Sequence, residues 1–268
     1  MMLKGQYKLE QYRDEIYDYY CNQKLSFCEI ARRLNCSHET VRKYIIYSGW
    51  QTESRKNRKP ILYKANENFF SSIDTESKAY WLGFIGADGN VEKTLLRLRI
   101  LLNDKDEKHL EKFQKDIETN SPIRKVGENK VYIAVCCKRI CEDLSKLGVI
   151  PNKTLTYNNN WDAIPEELWH HYIRGYFDGD GSIWKQKRDN YWGINFTGSH
   201  YLINSLRDRL PVYTSLSIRE NVSVISTMNK TSIVQLINYM YNDATIYLDR
   251  KYEKAKQALN DYQGVSII

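Results

Sequence analysis

No Cys-x-x-Cys pair occurs in this chain, whose six cysteines lie at positions 21, 28, 36, 136, 137 and 141. That absence excludes the common zinc-ribbon and dithiol redox motifs and leaves buried free thiols as the expectation. No apolar run reaches membrane-spanning length, and the opening Met1-Met2-Leu3-Lys4-Gly5 lacks the apolar core of a secretory signal. A cytoplasmic or otherwise intracellular protein with no membrane partner is therefore expected. Wholesale disorder is excluded too, because 42% of residues are hydrophobic and 27% charged, ordinary values for a globular chain. The 268 residues exceed one typical domain and leave room for a small domain joined to a larger one. Forty Lys and Arg against thirty-three Asp and Glu give a net charge of +7, an imbalance that favours polyanionic partners through counterion release.

Most of that charge sits at the start, where residues 1 to 60 hold twelve Lys and Arg against seven Asp and Glu. Helices are expected over Tyr7 to Cys21, Ser26 to Leu34 and Ser37 to Tyr47, since Phe27, Ile30, Ala31, Leu34, Val41, Tyr44 and Ile45 recur at helical spacing. Ser26-Phe27-Cys28-Glu29 has the form of a capping box, Ser37 can cap the third helix, and Asn35 can take the left-handed turn between them. A plain three-helix bundle would share this periodicity. The pattern resembles a helix-turn-helix domain over residues 1–48, which places Ser37, His38, Arg42 and Lys43 at the start of a DNA recognition helix. A basic linker over 49–65 follows, where Arg55, Lys56, Arg58 and Lys59 can lie along a phosphate backbone before Pro60.

The remainder repeats itself. Trp81-Leu82-Gly83-Phe84-Ile85-Gly86-Ala87-Asp88-Gly89 is answered by Ile173-Arg174-Gly175-Tyr176-Phe177-Asp178-Gly179-Asp180-Gly181, each an apolar helix ending in Asp-Gly. In both copies a strand pair, an amphipathic helix, a second strand pair and a closing helix follow in the same order. The halves run over 66–160 and 161–268. The fold expected is α+β, two pseudo-symmetric αββαββα repeats whose antiparallel sheets carry helices on one face and form a DNA-binding saddle with the other. Strand residues Arg97, Arg99, Lys125, Lys185, Lys187, Arg188, Tyr191 and Arg219 are the candidate DNA readers. A merely solubilising role for them fits the sequence equally well.

The ends of the paired helices carry the chemistry. Gly83 and Ala87 share one helix face, as do Gly175 and Gly179, so the two helices can approach closely against each other. Parallel packing brings Asp88 and Asp180 together, each against the negative end of its own helix dipole. Such a pair is unfavourable until a cation offsets it, and oxygen ligands of this kind suit Mg²⁺. Gly89 and Gly181 are expected to take a left-handed turn into the strand. A calcium loop starting at Asp178 is excluded, because Ile183 stands where that loop requires glycine.

The doubled motif resembles the single-chain, two-motif LAGLIDADG homing endonucleases over about residues 66 to 262. The resemblance implies a site-specific endonuclease that uses Mg²⁺, with Mn²⁺ able to substitute, to break both strands of a long asymmetric target in double-stranded DNA. It implies a monomer serving the mobility of an intron or intein. Asp88 and Asp180 are the implied metal ligands, and Lys153 and Lys251 the implied active-site lysines. One departure is Gly86, where the second copy has the acid Asp178. A DNA-binding regulator that does not cut, or an RNA-splicing maturase, would use the same scaffold.

Overall fold

The protein is described by a computed structural model covering residues 7–23, 25–50, 63–92, 96–150, 157–186 and 191–262. The candidate residues Arg55, Lys56, Arg58, Lys59, Lys153, Lys187 and Arg188 lie outside the described residues. The chain divides into two compact units, residues 1–61 and 62–268.

In the smaller unit, α1 (Tyr7–Glu10), α2 (Arg13–Tyr17), α3 (Phe27–Arg33) and α4 (His38–Tyr47) surround a core of Ile16, Tyr20, Ile30, Val41, Tyr44 and Ile45. The single helix expected over 7–21 is broken. A turn at residues 11–12 separates α1 from α2, and a π turn follows over Asp18–Asn22. The Asp18 carboxylate accepts from the side chains of Asn22 (2.8 Å) and Gln23 (2.7 Å), which holds that last turn wide. The capping box on α3 is complete, with the Ser26 amide donating to Glu29 Oε2 at 2.8 Å and the Ser26 side chain accepting from the Glu29 amide. Asn35 adopts φ 47°, the left-handed geometry that turns the chain between α3 and α4.

The larger unit opens with α5 (Glu76–Asp88), β1 (Gly89–Glu92), β2 (Arg97–Asn103), α6 (Glu107–Asp116), β3 (Arg124–Lys125), β4 (Lys130–Cys136) and α7 (Lys138–Lys146). The same order returns as α8 (Trp169–Asp180), β5 (Gly181–Lys185), β6 (Trp192–Gly198), α9 (His200–Arg207), β7 (Ser215–Ile218), β8 (Ser223–Thr227) and α10 (Lys230–Tyr241), followed by α11 (Asp249–Tyr262). Each half forms a four-stranded antiparallel sheet, ordered β1-β2-β4-β3 and β5-β6-β8-β7.

Period-two patterning decides which face each helix layer covers. Leu98, Ile100 and Leu102 lie opposite Val135, Ile133 and Val131, all buried, and in the second sheet Ile183, Ile194, Phe196 and Ile225 are their counterparts. The alternate residues, Arg97, Arg99 and Tyr132 in one sheet and Ser182, Trp184, Asn195 and Ser226 in the other, look away from the helices and are half-buried or exposed. Among the described residues, no helix is long and apolar enough to cross a membrane.

Candidate functional site

Helices α5 and α8 meet along their glycines. A Cβ added at Gly83 would strike the carbonyl of Tyr172 and stand 2.9 Å from the Tyr176 amide; one at Gly175 would strike the carbonyl of Tyr80 and stand 3.0 Å from the Phe84 amide. The contacts are reciprocal and advance together along both helices, so the pair is parallel and near two-fold. One turn later Gly179 lies on the methyl of Ala87, and a Cβ there would be 3.5 Å from Asp88 Oδ2. The carboxylate of Asp88 therefore reaches over the last turn of α8, one residue short of Asp180. Both aspartates are exposed, whereas residues 79–86 and 171–178 beneath them are buried.

The two glycines that follow do not turn left-handed. Gly89 has φ −78° and ψ 148°, and Gly181 has φ −83° and ψ 166°, so each helix passes directly into an extended strand. Their need for glycine is steric. A Cβ at Gly89 would fall 2.7 Å from the Ile85 carbonyl oxygen, and one at Gly181 would fall 2.6 Å from that of Phe177.

Lys251, on α11, fixes the end of α8. Only 4% exposed, its Nζ donates to the carbonyls of Phe177 (2.6 Å), Asp178 (2.8 Å), Gly179 (3.1 Å) and Gly181 (2.6 Å). An ammonium has three protons, so these acceptors use it up within the fold, and it caps the helix instead of reaching outward. Burial draws its pKa down to about 8, against the pull of Asp178, Asp88 and Asp180, so the ammonium still carries its proton at neutral pH.

Asp178 is structural. It is fully buried and accepts from Tyr80 Oη (2.7 Å), the Leu248 amide (2.7 Å) and Tyr241 Oη (3.0 Å), joining α5, α8, α10 and the approach to α11. Burial raises its carboxyl above the usual carboxylate range, while Lys251, the Leu248 amide and the two phenols oppose that shift. In the first half the missing acid is replaced by a ring. The absent side chain of Gly86 leaves space that the hydroxyl end of Tyr157 fills, and Tyr157 Oη bonds Tyr172 Oη at 2.9 Å. The departure at Gly86 thus exchanges a carboxylate for a phenol, and Asp88 at the helix end is untouched.

A second buried network holds the other ends of the helices. Arg174 has no solvent exposure, and it donates to Glu76 Oε1 (2.6 Å), Met240 O (2.7 Å) and Ile246 O (2.9 Å). Nearby, His170, His171 and Asp243 form the one cluster of three or more His, Cys, Asp or Glu side chains close enough to share a metal ion among the described residues. Arg174 Nη1 stands 2.9 Å from His171 Nδ1. A guanidinium can only donate, so Nδ1 is the acceptor and the neutral ring keeps its proton on Nε2, the atom a metal would need. That grouping does not suit a cation.

His109 is buried beside Tyr80, with Nε2 and Oη 3.0 Å apart, and burial lowers its pKa to about 3. A histidine titrating lower in the folded than in the unfolded chain gives stability that is whole above about pH 6.5 and is lost as pH falls through that window. Moving from pH 6.5 to 5 should cost about 2 kcal/mol through this one group. Guanidinium unfolding of wild type and His109→Gln at the two pH values checks it, the variant showing the shallower loss.

Solved structures share this fold. I-AabMI, a LAGLIDADG meganuclease bound to uncleaved DNA, superposes with a TM-score of 0.50 at 14% identity, covering 69% of this chain and 89% of that one. I-SmaMI, a LAGLIDADG homing endonuclease bound to cleaved DNA, gives 0.50 at 13% identity over 72% of this chain and 90% of that one. I-GzeII, in complex with its DNA target, gives 0.50 at 16% over 72% and 90%. This is the LAGLIDADG homing endonuclease fold. Identities this low speak for the fold alone. Residues 11–45 match the helix-turn-helix domain family. An uncharacterized protein of Methanocaldococcus jannaschii is 29% identical over 145 residues, 51% of this chain and 52% of its own length, so the match spans about half of that relative.

Within the LAGLIDADG fold the candidate readers separate. Arg97 and Arg99 lie on the helix-free face of the first sheet, Arg97 paired to Glu92 at 2.7 Å and Arg99 with its guanidinium 4.4 Å from the Tyr132 ring centre. Tyr191 is exposed next to β6 on the equivalent face, since its carbonyl accepts from Gln186 one step beyond the Lys185–Trp192 pair. Lys185 does not face that way. It lies opposite buried Trp192, on the helix side, and its Nζ is paired to Asp261 on α11 at 2.8 Å. Lys125 lies opposite buried Val131, which likewise directs it to the helix side of the edge. Arg219 is past the end of β7, in the turn closed by its amide on Val222 O. A one-residue change of phase reverses the face of a strand residue, and edge positions carry the weakest phase signal.

In the helix-turn-helix unit, His38, Arg42 and Lys43 are exposed on α4, and Ser37 caps it by accepting from the Thr40 amide at 3.1 Å. Arg42 also pairs with Glu39 at 3.2 Å. Sequence reasoning missed Tyr157, Arg174 with Glu76, and His109. Arg174 left a trace, a lone cation inside an apolar helix.

Proposed function

We propose that the chain is a divalent-metal-dependent, site-specific DNA endonuclease. The observation that carries this reading is the convergence of Asp88 and Asp180, exposed at the ends of two parallel helices that meet along their glycines. Two carboxylates at adjoining helix ends form an oxygen-rich site that favours a hard cation. Asp88 and Asp180 would hold Mg²⁺, with Mn²⁺ able to replace it. When bound, the ion supplies charge stabilisation at the scissile phosphate and acidifies a water nucleophile.

The protein's own residues set the geometry. The Gly83 and Gly175 contacts bring the acids together, and Lys251 holds the carbonyl end of α8 so that Asp180 projects outward. Lys153 is the candidate counterpart in the first half. The helix-free sheet faces supply contacts to double-stranded DNA, with Arg97, Arg99 and Tyr191 the foremost candidates. Because the two faces differ in sequence, one chain would read a long asymmetric site as a monomer. His38, Arg42 and Lys43 of the helix-turn-helix unit would add contacts to the same duplex. Mobility of an intron or intein is the genetic role that goes with such an enzyme.

The test is a randomised duplex library incubated with Mg²⁺ and the full chain. Defined breaks in both strands of a recurring sequence are expected, and a library left uncut with either Mg²⁺ or Mn²⁺ would overturn the reading. A chain starting at residue 62 should keep the cleavage position while its footprint shortens. An unshortened footprint would remove residues 1–61 from DNA recognition.

A further inference from the structure

The helix-free faces of the two sheets carry different chemistry. Gly89 pairs with Ile100 and Gly181 with Phe196 at the head of each sheet, which sets their residues in correspondence. Arg99 then corresponds to Asn195, and the Glu92–Arg97 ion pair to Trp184 and Gly193. Arg124, opposite Tyr132, corresponds to Ser217, opposite Val224. Three arginines of the first face, Arg97, Arg99 and Arg124, are thus replaced in the second by a glycine, an amide and a hydroxyl. The other described strand positions on that second face, Ser182, Thr197, Ser215 and Ser226, carry no charge either.

The second face is shaped for uncharged contact. A Cβ at Gly193 would strike the Trp184 ring and stand 2.6 Å from its Cε2, so the indole spans β6 over a residue with no side chain. Asn195 is half-buried, with Ser182 and Ser226 across the ladder on either side. Its side-chain amide has no hydrogen-bond partner among the described residues, which leaves both a donor and an acceptor for a ligand. Arg99 differs in kind. Its guanidinium lies 4.4 Å from the Tyr132 ring centre and has no acid partner among the described residues, so its charge is uncompensated.

We propose that the two sheets read their half-sites by different means, the first through cationic contacts that release counterions, the second through uncharged contacts in which Asn195 reads a base edge and Trp184 packs on the groove. The inference rests on the DNA-binding part of the reading above and not on cleavage. An arginine that meets a phosphate or a guanine adds to the salt dependence of binding. An amide that meets a base, adenine above all, adds discrimination without that dependence. Affinity that salt can remove therefore belongs to the first half-site, and the second contributes sequence preference that salt leaves in place.

The test is equilibrium binding by the full chain in Ca²⁺, on a duplex selected from a randomised library, over a series of salt concentrations. Arg99→Gln should lower the slope of log affinity against log salt by about one. Asn195→Ala should keep the wild-type slope and relax base preference about tenfold at one position, on a single side of the centre of the site. Asn195→Arg, which installs the first sheet's residue, should raise the slope by about one, a gain that a damaged fold cannot produce. An unaltered slope in Arg99→Gln or Asn195→Arg, or an unaltered base preference in Asn195→Ala, sinks the proposal. If the wild type binds the selected duplex but cuts nothing in Mg²⁺, the endonuclease reading fails, and the binding series still decides the division between the sheets. A wild type that selects no sequence at all overturns both.

Discussion

Replacing Asp88 or Asp180 by Asn should abolish cleavage, by at least about a thousandfold, which corresponds to about 4 kcal/mol of transition-state stabilisation. The size follows from what each acid does in the proposed centre. An amide keeps the shape and one oxygen but loses the charge that holds a dication, and two carboxylates are all that the helix ends offer it. Binding should survive. Removal of a negative charge facing a phosphate backbone leaves affinity unchanged or increases it severalfold, so filter binding in Ca²⁺ and cleavage in Mg²⁺ should move apart. Stability supplies an independent check, because a carboxylate at a helix C-terminus opposes the dipole. The Asp88→Asn variant should melt slightly higher than the wild type in EDTA, an advantage that shrinks when Mg²⁺ is added, whereas Asp180→Asn should bring no such gain, because the Lys251 ammonium already offsets the dipole at the end of α8. A variant that cuts at the wild-type rate would remove its aspartate from the metal centre.

Gly175→Val should unfold the larger unit or leave it marginal, at a cost of about 3 kcal/mol or more. A single Cβ at this position already meets the carbonyl of Tyr80 and comes within 3.0 Å of the Phe84 amide. Backbone on both sides of the contact cannot rotate out of the way as a flexible side chain can. The helices would have to separate, opening the best-packed part of the core around Trp81, Tyr172 and Phe177, all fully buried. Gly175→Ala should do the same in smaller measure, despite the better helix propensity of alanine. Gly127→Ala serves as a contrast: the space around its Cβ is open, and only its φ of +65° opposes the change. Urea unfolding of the three variants orders them, and a Gly175→Val chain as stable as the wild type would show that the helices do not meet here.

Much of this was legible before the structure. Regular spacing of Phe27, Ile30, Ala31 and Leu34 with a Ser26 cap placed α3 to within a residue, because capping and periodicity are local. Alternation of buried Val131, Ile133 and Val135 with less buried neighbours marks β4 in the same local way. The small residues of the paired motifs pointed to a close helix contact, since nothing else offsets the cost of glycine inside a helix. Short or terminal strand positions were read less well. Lys185 alternates onto the helix side, where Asp261, seventy-six positions later, receives it. No property of Lys185 itself could announce that partner.

The sequence by itself determined the repeat, the order of elements, the doubled acid and the complementary glycines, because each is a matter of local periodicity or of two segments resembling one another. Only the tertiary structure decided that Gly89 and Gly181 serve close approach instead of a left-handed turn. It decided as well that Lys251 caps a helix end, that Tyr157 occupies the space left at Gly86, and that Gly198 yields to the hydroxyl of Tyr176. Those assignments depend on which atoms meet across long separations in the chain. Steric exclusion and burial act on assembled neighbours, and a sequence read along its length does not contain them.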